Sequence, residues 1–171
     1  MSGKVSWRVA TKADRLLLQQ FRCTSDNGPD YERLVQRYFR VEAIRHMGAP
    51  DSIHSDHRLL LVFDGDDLVA AGCHRRGPAR AQRNFVFAAV EKDRQGQLLS
   101  NGQRASDVLW EVIANDILDR EGDVDLLVFA RVDPANHRSL AYCSRIGLVP
   151  TDRDSHGLVI CAGPIARPSS G

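Results

Sequence analysis

The chain has 171 residues, is 43% apolar and 26% charged, and carries a formal net charge of +1. That length fits one compact domain with an ordinary hydrophobic core. The near-neutral charge excludes a dedicated nucleic-acid coat or an electrostatic membrane binder, although a local basic patch stays compatible with it. No apolar run approaches a membrane span, and the opening residues Met1 to Thr11 contain no apolar signal core, so a cytoplasmic protein is expected. The four cysteines (Cys23, Cys73, Cys143, Cys161) form no CxxC pair and the six histidines no HExxH, so the expectation is reduced thiols and no metal.

In chain order, Val5 to Val9 reads as a strand. Thr11 to Asp14 reads as a helix cap, followed by Ala13, Leu16, Leu17 and Phe21 at helical spacing. After a polar loop, Tyr31, Leu34, Val35 and Tyr38 recur as on one helix face, and that helix is expected to reach about Met47. Gly48 to Asp56 reads as loop. Two apolar runs, Leu59 to Phe63 and Leu68 to Cys73, flank a turn at Asp64 to Asp67. A third run spans Phe85 to Val90. All three are continuous rather than alternating, which suits strands covered on both faces. Ala105, Val108, Leu109, Val112, Ile113 and Ile117 mark an amphipathic helix stopped by Gly122. Asp125 to Val132 reads as a strand, His137 to Ile146 as a helix stopped by Gly147, and Leu158 to Ala162 as the last strand. The order predicts an α/β domain with a mixed sheet and helices on both faces. Its ordered core is expected over about residues 5–164 of a single domain spanning 1–171.

Two stretches carry chemistry. The first is the loop between Val90 and the long helix, with Gln95-Gly96 and then Gly102-Gln103-Arg104-Ala105-Ser106. Glycines and free N–H groups at a helix N-terminus suit an anionic phosphate. The same residues also fit a hairpin with Asp93 to Gly96 as its turn. The second is RVDPANHRSLAYCSRIGL, Arg131 to Leu148. It fits a capped helix as well, with Pro134 and Asn136 as turn chemistry.

Together with the element order, these stretches resemble the GNAT (GCN5-related N-acetyltransferase) superfamily. The first is similar to the family's Q/R-x-x-G-x-G/A loop, with Gln97 to Asn101 as an insertion. The second is similar to its N-x-x-A/S-x-x-x-Y-x-x-x-G-F pattern, with Asn136, Ser139, Gly147 and Leu148 in register. The resemblance implies a mixed, mostly antiparallel sheet of about six or seven strands, and acetyl-CoA as the acyl donor. Val90, Gln95, Gly96, Gly102, Gln103, Arg104, Ala105, Ser106, Asn136 and Ser139 would bind that cofactor. It further implies direct attack by a primary amine, of a small molecule or a protein, in a ternary complex. A tRNA-directed toxin-like enzyme and a catalytically degenerate CoA-binding relative are the alternatives, and a homodimer is a family-level expectation.

One departure stands out: the family's tyrosine acid falls at Cys143, with Tyr142 one place earlier. The acid is therefore open between Cys143, Tyr142 and water, and Cys143 reads equally as an apolar filler. Glu91 is the first candidate for the general base, with His74 and Asp93 behind it; each also reads as an ordinary packed or solvated group. Arg37, Arg40, Arg45, Arg75, Arg76, Arg80 and Arg83 are candidates for lining an acceptor groove, or are a solvated face.

Overall fold

Neighbouring residues of the continuous apolar runs enter two different cores, because side chains on a strand alternate between faces. In the computed structural model, which describes residues 4–45, 56–79, 81–122 and 125–165, they build one seven-stranded sheet. The strands are β1 (Val5–Val9), β2 (Arg58–Asp64), β3 (Asp67–Arg76), β4 (Gln82–Val90), β5 (Leu127–Val132), β6 (Val149–Arg153) and β7 (Val159–Pro164). Their order across the sheet is β1-β2-β3-β4-β5-β7-β6. Every neighbouring pair is antiparallel except β4 and β5, which are parallel.

Helices α1 (Arg15–Gln20) and α2 (Asp30–Arg37) cover one face, and α3 (Ala105–Glu121) and α4 (His137–Arg145) the other. Leu60, Val62, Val69 and Ala70 pack with Leu109, Ile113 and Ile117 of α3. Leu59, Leu61, Ala71 and Cys73 pack instead with Leu18, Phe21, Tyr38 and Phe39. Gly72 permits the close seat of α3, since a Cβ there would stand 2.8 Å from Ile113 Cδ1.

Several expectations need correction. Helix α1 ends at Gln20 and Phe21 is extended; Leu18, not Leu16, is the buried residue, and Leu16 is exposed. Helix α2 passes into a π-helical turn, Tyr38–Glu42, closed by the Ala43 N–H on the Tyr38 carbonyl at 2.9 Å. The stripe of α2 therefore splits: Tyr38 is core, while Leu34 stays 57% exposed. Met47 and 48–55 lie outside the described residues. Strand β4 is only half-buried. Strand β6 was not expected: Val149-Pro150-Thr151-Asp152-Arg153 is an exposed edge strand with no apolar periodicity to mark it.

Two of the charges that resemble a solvated face, Arg83 and Arg40, are structural instead, while the Arg76 side chain stays 66% exposed. Arg83 is fully buried between Asp56 and Glu121, and Arg76 lies 3.6 Å from Glu121. Arg40 donates to the Gln19 carbonyl at 2.7 Å. Arg80 lies outside the described residues. Asp116, on the buried side of α3, takes His74 Nε2 at 2.8 Å and Arg58 Nη2 at 2.6 Å. Burial alone would raise the Asp116 pKa, but these two donors hold it well below the usual carboxylate range.

Asp14 fixes the start of the first helical segment to β1. It accepts from Arg8 Nη1 at 2.7 Å and from the Thr11 N–H at 2.7 Å. The Arg8 hydrogen bond is the main cause of an Asp14 pKa lowered from 3.8 to about 2. A depressed folded-state pKa means that stability is present above the unfolded value and lost as pH falls through the folded one. Asp14→Asn is expected to cost about 1 kcal/mol at neutral pH, discounted because Arg8 is half-exposed. Urea titrations of both proteins should converge as pH is lowered from about 4 to about 2.

Candidate functional site

Strands β4 and β5 pair only from Gln82 with Leu127 to Phe85 with Ala130. The next β4 residue, Val86, is an extra residue in the β3–β4 ladder: Cys73 faces Phe87 and His74 faces Phe85. Such a bulge bends its strand. Beyond it β4 stays on β3 and β5 stays on β7, so the two strands part. A cleft of about 1190 Å³ opens between them, walled by β4 and β5, the first turn of α3, α4 and α2.

The parted edge of β4 is chemically active backbone. The Glu91 N–H bonds to the Val69 carbonyl at 2.8 Å, toward β3. Groups alternate along an antiparallel strand, so the N–H groups of Ala88 and Val90 point to the cleft side. Consistently, Gln95 Nε2 reaches the Val90 carbonyl at 3.3 Å. The same amide donates to the Cys23 carbonyl at 2.6 Å, and Arg138 Nη1 donates to Gln95 Oε1 at 3.3 Å, tying the loop after β4 to α4 across the cleft.

Of the expected binding residues, Val90, Gln95, Gly96, Arg104, Ala105, Ser106, Asn136 and Ser139 line this cleft. Gly102 and Gln103 do not. The Gly102 N–H is spent on the Leu99 carbonyl at 2.9 Å and the Gln103 N–H on Asn101 Oδ1 at 3.0 Å. The inserted residues close a turn pinned by buried Leu99 and by the Ser100 N–H on Asp64 at 3.0 Å. The helix starts at Ala105, two residues later than Gln103, with Arg104 extended at its N-cap. The Ala105 and Ser106 amides, at the cleft, have no intrahelical partner, as at any helix start, while the Asp107 N–H bonds to the Arg104 carbonyl at 3.0 Å. Asn136 caps α4, its Oδ1 accepting from the Ser139 N–H at 3.0 Å. That leaves its Nδ2 donors for the cleft.

The candidate acids and bases Glu91, His74, Tyr142 and Cys143 lie in different surroundings. Glu91 is outside the lining; its carboxylate caps a 3-10 turn by accepting from the Asp93 N–H at 2.9 Å. His74 is in the core on Asp116, and burial lowers its pKa. Tyr142 lines the cleft but donates to the Ser106 carbonyl at 2.7 Å, and burial pushes its pKa up. Cys143 borders the cleft beside Tyr142 but is 3% exposed and packs into the core, its thiol pushed up to about 12 chiefly by burial, then by Cys161. That environment fits the filler reading.

Sequence reasoning missed Arg138 and Arg145. With Tyr142 they recur at one face of α4, a spacing that was available as a signal. Arg145 donates to Asp107 at 2.6 Å and lies over the Tyr142 ring at 5.3 Å. With Arg104 and Arg138 it makes one side of the cleft basic.

No protein-family model matches the sequence, and no curated protein matches it significantly. Solved structures match the fold over nearly the whole chain. One from Desulfovibrio desulfuricans, assigned to the GNAT family of acetyltransferases, is 17% identical with a TM-score of 0.69, covering 95% of this chain and 100% of that one. The PaiA N-acetyltransferase of Thermoplasma acidophilum, in complex with coenzyme A, is 12% identical with a TM-score of 0.68, covering 94% and 99%. A chain of the AtaT–AtaR complex bound to DNA is 13% identical with a TM-score of 0.67, covering 94% of each. At these identities the likeness establishes the fold: this chain has the GNAT fold.

The thiol environments generate a chemical prediction. Burial holds Cys23 at about 11 and Cys73 and Cys143 at about 12. A raised pKa leaves each as neutral thiol at pH 8. Iodoacetamide labelling followed by mass spectrometry should find these three more than about a hundredfold slower to react in the native protein than in urea.

Proposed function

We propose that this chain is an acetyl-CoA-dependent N-acetyltransferase acting on a primary amine. The observation that carries the reading is the parting of β4 from β5 after Phe85 and Ala130, with the first turn of α3 on the wall of the resulting cleft. A helix N-terminus favours an anion. The amides of Ala105 and Ser106, with Arg104 beside them, would receive the pyrophosphate of the cofactor. Its pantetheine arm would run along the open β4 edge, with Asn136 Nδ2 and Ser139 on the facing wall.

The chain's part in the reaction is mainly positional. Two substrates held in one cleft avoid much of the entropic cost of meeting. The Ala88 and Val90 N–H groups would polarise the thioester carbonyl as the amine attacks it. The C–N bond forms, the C–S bond breaks, the amine proton passes to cleft water, and the departing thiolate takes a proton from water. Water is assigned both ends, since the Glu91 carboxylate lies outside the cleft lining, the Tyr142 hydroxyl donates to the Ser106 carbonyl, and burial raises the Cys143 thiol and so weakens it as an acid.

A second reading, cofactor binding without transfer, is favoured by the buried Cys143 where the resemblance leads one to expect a tyrosine. One pair of measurements separates the two. Acetyl-CoA at about a hundred times its Kd should stabilise the protein by about 2.7 kcal/mol, seen as a rise in Tm. Release of free thiol with an amine panel then marks the enzyme; stabilisation without release marks the second reading.

Asn136→Asp tests the facing wall. It keeps an oxygen to cap α4 but removes the Nδ2 donors. The free protein's Tm should hold, while acetyl-CoA affinity falls by about tenfold. Unchanged affinity in a titration would remove Asn136 from the binding site.

A further inference from the structure

Among the described apolar side chains that belong to neither core, five line the cleft: Tyr31 and Leu34 from α2, Phe129 from β5, and Leu158 and Ile160 at β7. They lie on one side of it. On β5, Val128, Ala130 and Val132 turn into the core beneath α3 and α4, so Phe129 faces the opposite way, the side of the sheet that α1 and α2 cover elsewhere. Phe129 pairs with Ala162 of β7, and Ala162 with Val149 of β6, which is 53% exposed. The apolar floor therefore continues from the cleft onto the open sheet. Leaving such a contiguous surface wet is unfavourable, and it marks a binding surface more often than scattered exposed residues do.

Charge narrows the occupant. The cleft lining holds six arginines (Arg75, Arg94, Arg104, Arg131, Arg138, Arg145) and three carboxylates, Asp30, Glu32 and Asp133. Three of the arginines are paired with carboxylates outside the lining, Arg94 with Asp67, Arg131 with Asp154 and Arg145 with Asp107, and Asp30 is paired with Arg33, while Glu32 and Asp133 accept from the Thr24 hydroxyl and the Ala135 N–H and keep their charge. Arginines still outnumber carboxylates in the lining by six to three, which disfavours a polycationic acceptor.

We infer that the acceptor is a monoamine borne on an aromatic or branched apolar body, seated between Leu34 and Phe129. This rests on the acetyltransferase reading and adds the substrate class to it. The shared chemistry has two sources, a small arylalkyl amine or a peptide whose first residue is aromatic.

The test measures acetyl-CoA binding by calorimetry and then thiol release with phenethylamine, a peptide beginning with phenylalanine, and spermidine. One of the two aromatic amines should exceed spermidine in kcat/KM by about tenfold or more. Whichever of them leads identifies the source. Leu34→Ser and, separately, Phe129→Ser should raise its KM by about tenfold while leaving acetyl-CoA affinity within about twofold. Leu34 is exposed, so that variant folds even if Phe129→Ser does not. Spermidine as the better substrate or an unchanged KM in Leu34→Ser would each overturn the acceptor class alone, whereas acetyl-CoA binding with no amine turned over would overturn the transferase reading in favour of cofactor binding without transfer. Failure to bind acetyl-CoA would overturn the acetyltransferase reading beneath the acceptor class.

Discussion

The separation of two adjacent parallel strands is the constraint on which the rest of this molecule depends. Backbone N–H and C=O groups without partners are costly when dry, so a sheet does not open without support. Here each lip keeps its other neighbour: β4 remains on β3 up to Val90, and β5 remains on β7 up to Val132. The bulged Val86 turns β4 away at the point where pairing with β5 stops. The result is a gap with exposed main-chain donors inside a sheet that is otherwise continuous.

The long helix α3 joins stability to the site. Its apolar stripe packs across β2, β3 and β4, and Gly72 lets it sit close. The same seating brings its first turn to the cleft. At the other end, buried ion pairs through Asp116, Arg58 and Arg83 hold the sheet beneath it. A buried pair is weak evidence for net stability, but removing one partner strands a charge. These arginines therefore belong to the scaffold, and the cleft takes its positive charge from Arg104, Arg138 and Arg145.

The cleft is two-sided in character. Arg104, Arg138, Arg145 and the helix amides line one part of the cleft, where a polyanionic cofactor would lie, and aromatic and aliphatic side chains, with Arg131 beside Phe129 and Ile160, line another. Of the side chains put forward as acid or base, Glu91 caps a turn outside the cleft and His74 is buried against Asp116. Tyr142 instead clamps α4 to α3 through the Ser106 carbonyl, and Cys143 fills the layer beneath. The chemistry proposed for the site therefore relies on positioning and backbone polarisation.

The sequence by itself determined the elements, because local periodicity and stop signals encode them. The runs at Leu59 to Phe63 and Leu68 to Cys73, the stripe from Ala105 to Ile117 and the glycines at 122 and 147 correspond to β2, β3, α3 and the two helix ends. Arg104, Ala105, Ser106, Asn136 and Ser139, which the family resemblance assigns to a cofactor, line the cleft. The sequence did not reveal β6, whose exposed edge needs no apolar pattern, or that Gly102 and Gln103 spend their amides within the inserted turn. Only the tertiary structure decided which charges are buried, that Glu91 caps a turn and His74 meets Asp116, and that Tyr31, Leu34, Phe129 and Ile160 share one wall. Those facts depend on residues far apart in the chain coming together across the sheet, and no local pattern carries that information.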